Sequence, residues 1–283
     1  MPYSAEISRA NPSCILFMID QSFSMSDPFG GGEDRLKKKD AVADVINKLL
    51  QNFVIKCAKD EGVRDYYYIG VIGYGNQVGP AFGGGLVNRE VVPISHIAET
   101  PARIEERVKK IPDGAGGIVE QSIKFPVWFD ATASGGTPMC QAMLFAQDIL
   151  LGWLTEHPDC FPPLVINITD GEATDGDPSP IAQNIRSLKS SDGDVLLFNV
   201  HLSSFKGIPI QFPATESGLP EEYAKLLFNM SSILPDSIKE TASQEGYPVS
   251  DGTRGFVFNA DMVALINFLD IGTRPSNIRQ TSQ

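Results

Sequence analysis

Two short apolar runs, each stopping at an aspartate, restrict this chain more than any other feature. The first is Ile15-Leu16-Phe17-Met18-Ile19 before Asp20. The second is Leu164-Val165-Ile166-Asn167-Ile168-Thr169 before Asp170. Runs with so little polar alternation read as strands covered on both faces, the environment of a central parallel strand. An aspartate ending such a strand lies at the carboxyl edge of the sheet, where open α/β sheets place their ligand sites.

The remaining segments fit the same plan. Val42, Val45, Ile46, Leu49, Leu50 and Phe53 recur at three- and four-residue steps and predict a helix from about Arg35 to Ala58. Residues 66–74 predict a second strand, and Leu86-Val87 with Val91–Pro93 a short edge strand. Residues 101–110 read as a short charged helix. Asp113–Gly117 reads as a turn, residues 127–130 as a short extended piece, and Trp128 as core. A helix carrying Ala142, Phe145, Ala146, Ile149, Leu150 and Trp153 runs to about Leu154, and another follows Pro178 to about Lys189. A strand is expected over 194–201, a loop covering a sheet edge over 203–220, a helix over 221–230 and a last strand over 255–260. Asp261 caps a final helix to about Leu269. Alternating strands and helices predict an α/β fold, a doubly wound, mostly parallel central sheet with helices on both faces. The expected organisation is a lead-in at 1–12, one domain over 13–270 with insertions near 76–130 and 203–255, and a polar tail at 271–283.

Composition narrows the partners. The 283 residues carry 23 basic and 35 acidic side chains, a net charge of −12. Such a surface repels phosphate backbones and anionic membranes, so neither nucleic acid nor membrane is the expected partner. The basic stretch Arg35-Leu36-Lys37-Lys38-Lys39 reads as the solvated start of a helix. Cys14, Cys57, Cys140 and Cys160 form no C-x-x-C pair and read as buried free thiols of a reducing compartment. No signal-type apolar core opens the chain and no apolar run is long enough to span a bilayer, so a cytoplasmic location is expected. His96, His157 and His201 have no neighbours at metal-binding spacing. Gly73, Gly75 and Gly79 miss the dinucleotide fingerprint and read as hairpin or bulge positions.

Three stretches carry the chemistry. In Asp20-Gln21-Ser22-Phe23-Ser24 one carboxylate and two hydroxyls supply hard oxygen ligands, although loops after strands are rich in these residues anyway. In Ser134-Gly135-Gly136-Thr137-Pro138 the glycines allow close backbone approach, Thr137 reads as a helix N-cap and Pro138 as first turn. Thr169-Asp170-Gly171 ends the other apolar strand. Asp175 and Asp177 beyond it read as loop and capping residues. The predicted sheet brings all three stretches to one edge.

In order and separation these motifs resemble the metal-ion-dependent adhesion site of von Willebrand factor A domains. Met25 and the Gly-Gly-Thr-Pro run are usual in bacterial members, and the chain is most similar to the tellurite-resistance-type A domains linked to stress responses. The resemblance implies a Rossmann-like sheet bearing one divalent ion, held by Asp20, Ser22, Ser24, Thr137 and Asp170 directly or through water. Few carboxylates among many hydroxyls favour magnesium, with manganese or calcium as alternatives. It also implies a partner protein whose acidic residue completes the metal shell, and no enzymatic activity. Phe23 stands where many members have glycine and makes the rim more apolar. The alternative is a metal-dependent hydrolase or phosphatase using Asp20 as nucleophile or base. Position 22, however, lacks the second acid of aspartate-nucleophile phosphatases, and no Walker loop, G-x-S-x-G elbow or placed histidine is present. A domain with a vestigial site is a third reading, opposed by the complete set of ligand types.

Overall fold

The computed structural model describes residues 3–29, 36–112, 117–202 and 207–273. The helix start at Arg35, the turn at 113–116, the loop start at 203–206 and the tail beyond 273 lie outside them. In chain order the strands are β1 (Ser13–Asp20), β2 (Tyr67–Tyr74), β3 (Val78–Pro80), β4 (Val92–Pro93), β5 (Arg103–Pro112), β6 (Ile118–Val127), β7 (Leu164–Thr169), β8 (Leu196–Leu202), β9 (Ile210–Gln211) and β10 (Phe256–Ala260). The helices are α1 (Lys38–Cys57), α2 (Ile94–Glu99), α3 (Met139–Glu156), α4 (Ser179–Ser187), α5 (Glu222–Met230), α6 (Asp236–Gln244) and α7 (Met262–Thr273). Two-residue ribbons lie at 58–59/62–63 and 189–190/193–194.

The main sheet runs β9-β10-β8-β7-β1-β2-β3, with β4 also against β2. β1 pairs in parallel with β2 on one side and β7 on the other. β7–β8 and β8–β10 are parallel too, and antiparallel β3, β4 and β9 close the edges. Alternate side chains of β1 serve opposite layers, as strand geometry requires. Ile15, Phe17 and Ile19 pack in the core formed with α1, α2, α6 and α7. Cys14, Leu16 and Met18 pack in the one formed with α3, α4 and α5. The fold is therefore a doubly wound α/β sheet, mostly parallel. Each large side chain fully buried this way contributes about 1.5–3 kcal/mol. The chain leaves β1 toward β2 and later returns to β7 on the opposite side, so the switch point lies between β1 and β7.

A fully buried polar line crosses the sheet beneath that edge. Tyr74 Oη donates to Asn167 Oδ1 (2.6 Å), Asn167 Nδ2 to Asn199 Oδ1 (3.0 Å) and Asn199 Nδ2 to Ser231 Oγ (2.9 Å). The line ties β2, β7 and β8 to the end of α5.

The largest correction concerns residues 101–110, which form β5 of a long antiparallel hairpin with β6. Its charges are arranged for a strand. Glu105 bonds Arg103 (2.7 Å) and Arg107 (2.8 Å), all two residues apart and on one face, a spacing that a helix turns away from itself. Arg107 also lies 3.7 Å over the Phe125 ring and reaches Asp44 of α1 at 2.9 Å. Leu86 sits in a 3₁₀ turn, leaving Val92–Pro93 as the edge strand. The last helix continues to Thr273 because Ile271 and Thr273 are buried. Trp128 is core, with Nε1–H donating to Ile97 O at 2.6 Å.

Asn47, buried in α1, anchors the strand returning from the hairpin. Its Oδ1 accepts the N–H groups of Trp128 (2.7 Å) and Phe129 (3.0 Å), and its Nδ2 donates to Phe129 O (2.8 Å). Asn47→Ala strands these buried backbone groups and should lower unfolding free energy by about 2–4 kcal/mol in urea titrations. A loss within error of zero would show that the tether is dispensable.

Candidate functional site

β1 and β7 run in register, Ile19 opposite Ile168, so Asp20 ends one strand beside Thr169 of the other and Asp170 follows at once. Asp20 is almost fully buried. Its Oδ1 accepts the Ser22 N–H (2.8 Å) and its Oδ2 the Thr169 hydroxyl (2.7 Å). Burial pushes its carboxyl up from 3.8 to about 6, against the pull of the Ser22 and Thr169 hydrogen bonds.

The chain then turns through a short 3₁₀ element, Phe23–Ser26, which aims both serines back over the strand end. Ser22 and Ser24 hydroxyls are 3.0 Å apart, and Ser24 Oγ donates to Asp170 Oδ1 at 2.8 Å. Phe23 between them is 73% exposed. Backbone bonds lock the loop: Gln21 N–H to Tyr74 O (2.7 Å), Ser134 N–H to Gln21 O (2.7 Å) and Phe23 N–H to Gly135 O (3.1 Å). Two glycines make the crossing possible. A Cβ on Gly75 would stand 2.5 Å from Gln21 O, and Gly135, at φ +79°, would carry one 2.6 Å from Asn76 N. Gly75 opens the turn of the β2–β3 hairpin, in which Gly73 pairs with Gly79 as a hairpin glycine should, and it also allows the close approach of the site loops.

Thr137 arrives on a third segment, clasped to the loop after Asp170. Its N–H donates to Thr174 Oγ1 (3.0 Å) and its carbonyl accepts the Thr174 N–H (2.9 Å). The Thr137 hydroxyl lies 3.9 Å from where a Gly171 Cβ would sit. Thr137 does not cap α3, contrary to expectation. The helix begins at Met139, and the capping acceptor is Asp175, whose carboxylate takes the N–H groups of Cys140 (3.1 Å) and Gln141 (2.9 Å). With the cap supplied from elsewhere, the Thr137 side chain is not required for it. Asp177 accepts the Ser179 N–H (2.9 Å) at the start of α4, the capping role expected of it.

The sequence reading missed Lys38. Expected in a solvated patch, it is buried, 3% exposed, and its Nζ meets Asp170 Oδ2 at 2.7 Å. Its position carries the signal: Lys38, Ala41, Val42, Val45, Ile46 and Leu49 follow one helical stripe, all buried. Nearby His201, stacked on Phe258 at 4.6 Å, accepts the Asn259 N–H, and burial pushes its imidazole down to about 4.

Asp20, Ser22, Ser24 and Asp170 therefore stand in one hydrogen-bonded cluster with Thr137 alongside. The donor set is oxygen throughout and fits a hard divalent cation. Among the described residues no group of three or more His, Cys, Asp or Glu stands together as a metal site, and the donors here are two carboxylates and three hydroxyls. A cleft of about 450 Å³ beside the Asp170 loop is lined by Glu172, Asp177, Glu222 and Tyr223 among others.

No protein-family model and no curated protein matches the chain. The ArnB paralog VWA2 from Sulfolobus acidocaldarius aligns at 14% identity over 70% of this chain and 36% of that one, with a TM-score of 0.35. The vWF domain of the type V pili tip protein Mfa5 from Porphyromonas gingivalis aligns at 14% over 58% of this chain and 39% of that one, TM-score 0.31. The pilus adhesin RrgA from Streptococcus pneumoniae aligns at 12% over 60% and 21%, TM-score 0.31. The chain spans less than half the length of each, and at these TM-scores its fold is read from its own sheet order.

The raised Asp20 carboxyl fixes a sign. The folded state holds this proton more tightly than the unfolded one, so stability falls as pH rises from about 4 through about 6 and the cost is complete above that. In chelator at pH 7.5, Asp20→Asn should raise unfolding free energy by roughly 2–3 kcal/mol, and the gain should shrink toward pH 4. An equal effect at both pH values would show that Asp20 ionisation is not what the fold opposes.

Proposed function

We propose that this chain is a non-enzymatic protein-interaction module that binds a partner's acidic residue through one divalent cation at the edge between β1 and β7. The supporting observation is the convergence of three distant segments, which set Asp20, Ser22, Ser24, Thr137 and Asp170 at the sheet's switch point, with the resemblance of their motifs to the von Willebrand factor A adhesion site. Asp20, Ser22, Ser24, Thr137 and Asp170 would hold the ion, magnesium by preference. When bound, it would act as an electrophile toward an anionic ligand.

The surrounding side chains select that ligand. Exposed Phe23 offers apolar contact at the rim. Glu172, Asp177 and Glu222 in the neighbouring cleft repel an extended acidic stretch. A single carboxylate beside an apolar residue fits best. In this reading the protein works in the cytoplasm, where its four buried free thiols stay reduced, as an adaptor in a bacterial stress response.

The test is capture from host lysate by wild type and Asp20→Ala in parallel, with magnesium and then with chelator. Wild type should hold a partner that chelator releases and Asp20→Ala should not. Mn²⁺ affinity should fall at least about tenfold in Ser24→Ala, which removes a ligand and a bond to Asp170. A partner retained equally by both proteins and in chelator would move the binding surface elsewhere.

A further inference from the structure

The Lys38–Asp170 pair is hard to explain as a stabilising device. Both side chains are withdrawn from water, 4% and 0% exposed, and a buried ion pair recovers its desolvation cost poorly compared with apolar packing. Leucine or methionine at position 38 would continue the stripe of Ala41, Val42 and Val45 without that cost. The ammonium also sits where its charge matters most, on one oxygen of the carboxylate whose other oxygen accepts from Ser24. Other contacts reinforce its placement. The Lys38 N–H donates to Asp27 O (3.1 Å), joining the helix start to the serine loop.

Consider the charge of the cluster. Asp20 and Asp170 with Lys38 leave one net negative charge, so a divalent ion would leave one net positive charge. A partner's carboxylate would then bring the assembly to neutrality. Without Lys38, the metal alone would neutralise the site and an added carboxylate would leave a buried negative charge. In a site this shielded, such differences are large.

We infer that Lys38 is an intramolecular counter-cation that weakens binding of the divalent ion alone and reserves positive charge for the partner's carboxylate, so that metal and carboxylate bind cooperatively. This rests on the metal-binding reading above and deepens it. The coupling is reciprocal: whatever factor the carboxylate adds to metal affinity, the metal adds to carboxylate affinity. A site built this way stays poorly occupied until a carboxylate is offered.

Free Mn²⁺ measured by electron paramagnetic resonance tests this, with acetate as carboxylate probe and chloride at matched ionic strength as control. Wild type should bind Mn²⁺ more tightly in acetate than in chloride. Lys38→Gln, which can still donate a hydrogen bond to Asp170, should bind Mn²⁺ in chloride on the order of tenfold more tightly than wild type, as expected for removing a cation a few ångströms away. Its acetate enhancement should vanish. Lys37→Gln, an exposed neighbour of equal charge, should match wild type. Lys38→Gln affinity equal to or weaker than wild type would reduce Lys38 to a tether for Asp170. The acetate arm needs no variant: equal wild-type affinity in acetate and chloride overturns the inference even if Lys38→Gln does not fold. Failure of the underlying reading looks different, with wild type binding no Mn²⁺ or Asp20→Ala binding it as well as wild type.

Discussion

Two carboxylates held side by side out of water are the constraint on which this molecule turns. Parallel pairing of β1 with β7 puts Asp20 and Asp170 on neighbouring strand ends, and both side chains are shielded. Buried charges of like sign are tolerated only when hydrogen bonds and counter-charge surround them. Thr169 and the Ser22 N–H serve Asp20, while Ser24 and Lys38 serve Asp170. Lys38 arrives on the helix that connects β1 to β2. The loops that carry the serines and Thr137 are stitched to one another by backbone bonds. The architecture that creates the repulsion thus also delivers what offsets it.

How much of this was legible in the sequence depended on what holds each element in place. β1 and β7 were readable because burial on both faces leaves an almost continuous apolar run, broken in β7 by Asn167. The body of α1 was readable because its stripe has helical period. The hairpin of β5 and β6 was not, since its order comes from cross-strand pairing and charged residues fall at both odd and even positions of β5, which blurs the two-residue period. The helix Asp236–Gln244 was missed for a related reason: of its nine residues Ile238 and Ala242 are the buried ones, too few for a periodic signal. The site was legible in its acids and hydroxyls but not in its cation. Lysine as a residue type predicts a solvated side chain, whereas the place of Lys38 on the stripe predicts burial. Thr137 was assigned to a cap on local grounds, whereas the capping carboxylate comes from Asp175, on a loop more than thirty residues later.

The site also divides its labour between layers. Residues that touch the sheet, Asp20 and Thr169, are fixed by strand register. Those from the third segment, around Thr137, are fixed by loop-to-loop bonds through Thr174 and Asp175. Phe23 projects from between the two serines into solvent, so the contact surface can vary there without disturbing the oxygen cluster beneath.

The buried line from Tyr74 through Asn167 and Asn199 to Ser231 has a consequence for misfolding. Asn167 and Asn199 face each other on the same rung of adjacent parallel strands. A slip of one residue would turn either amide to the opposite face of the sheet, among apolar side chains with no partner. Strands of valine, isoleucine and leucine slide past one another with little change in burial, so hydrophobicity alone tells rungs apart weakly. The amides add little to the native state beyond their own satisfaction. Their larger effect is to raise the energy of every offset pairing, widening the gap between one alignment and its near competitors.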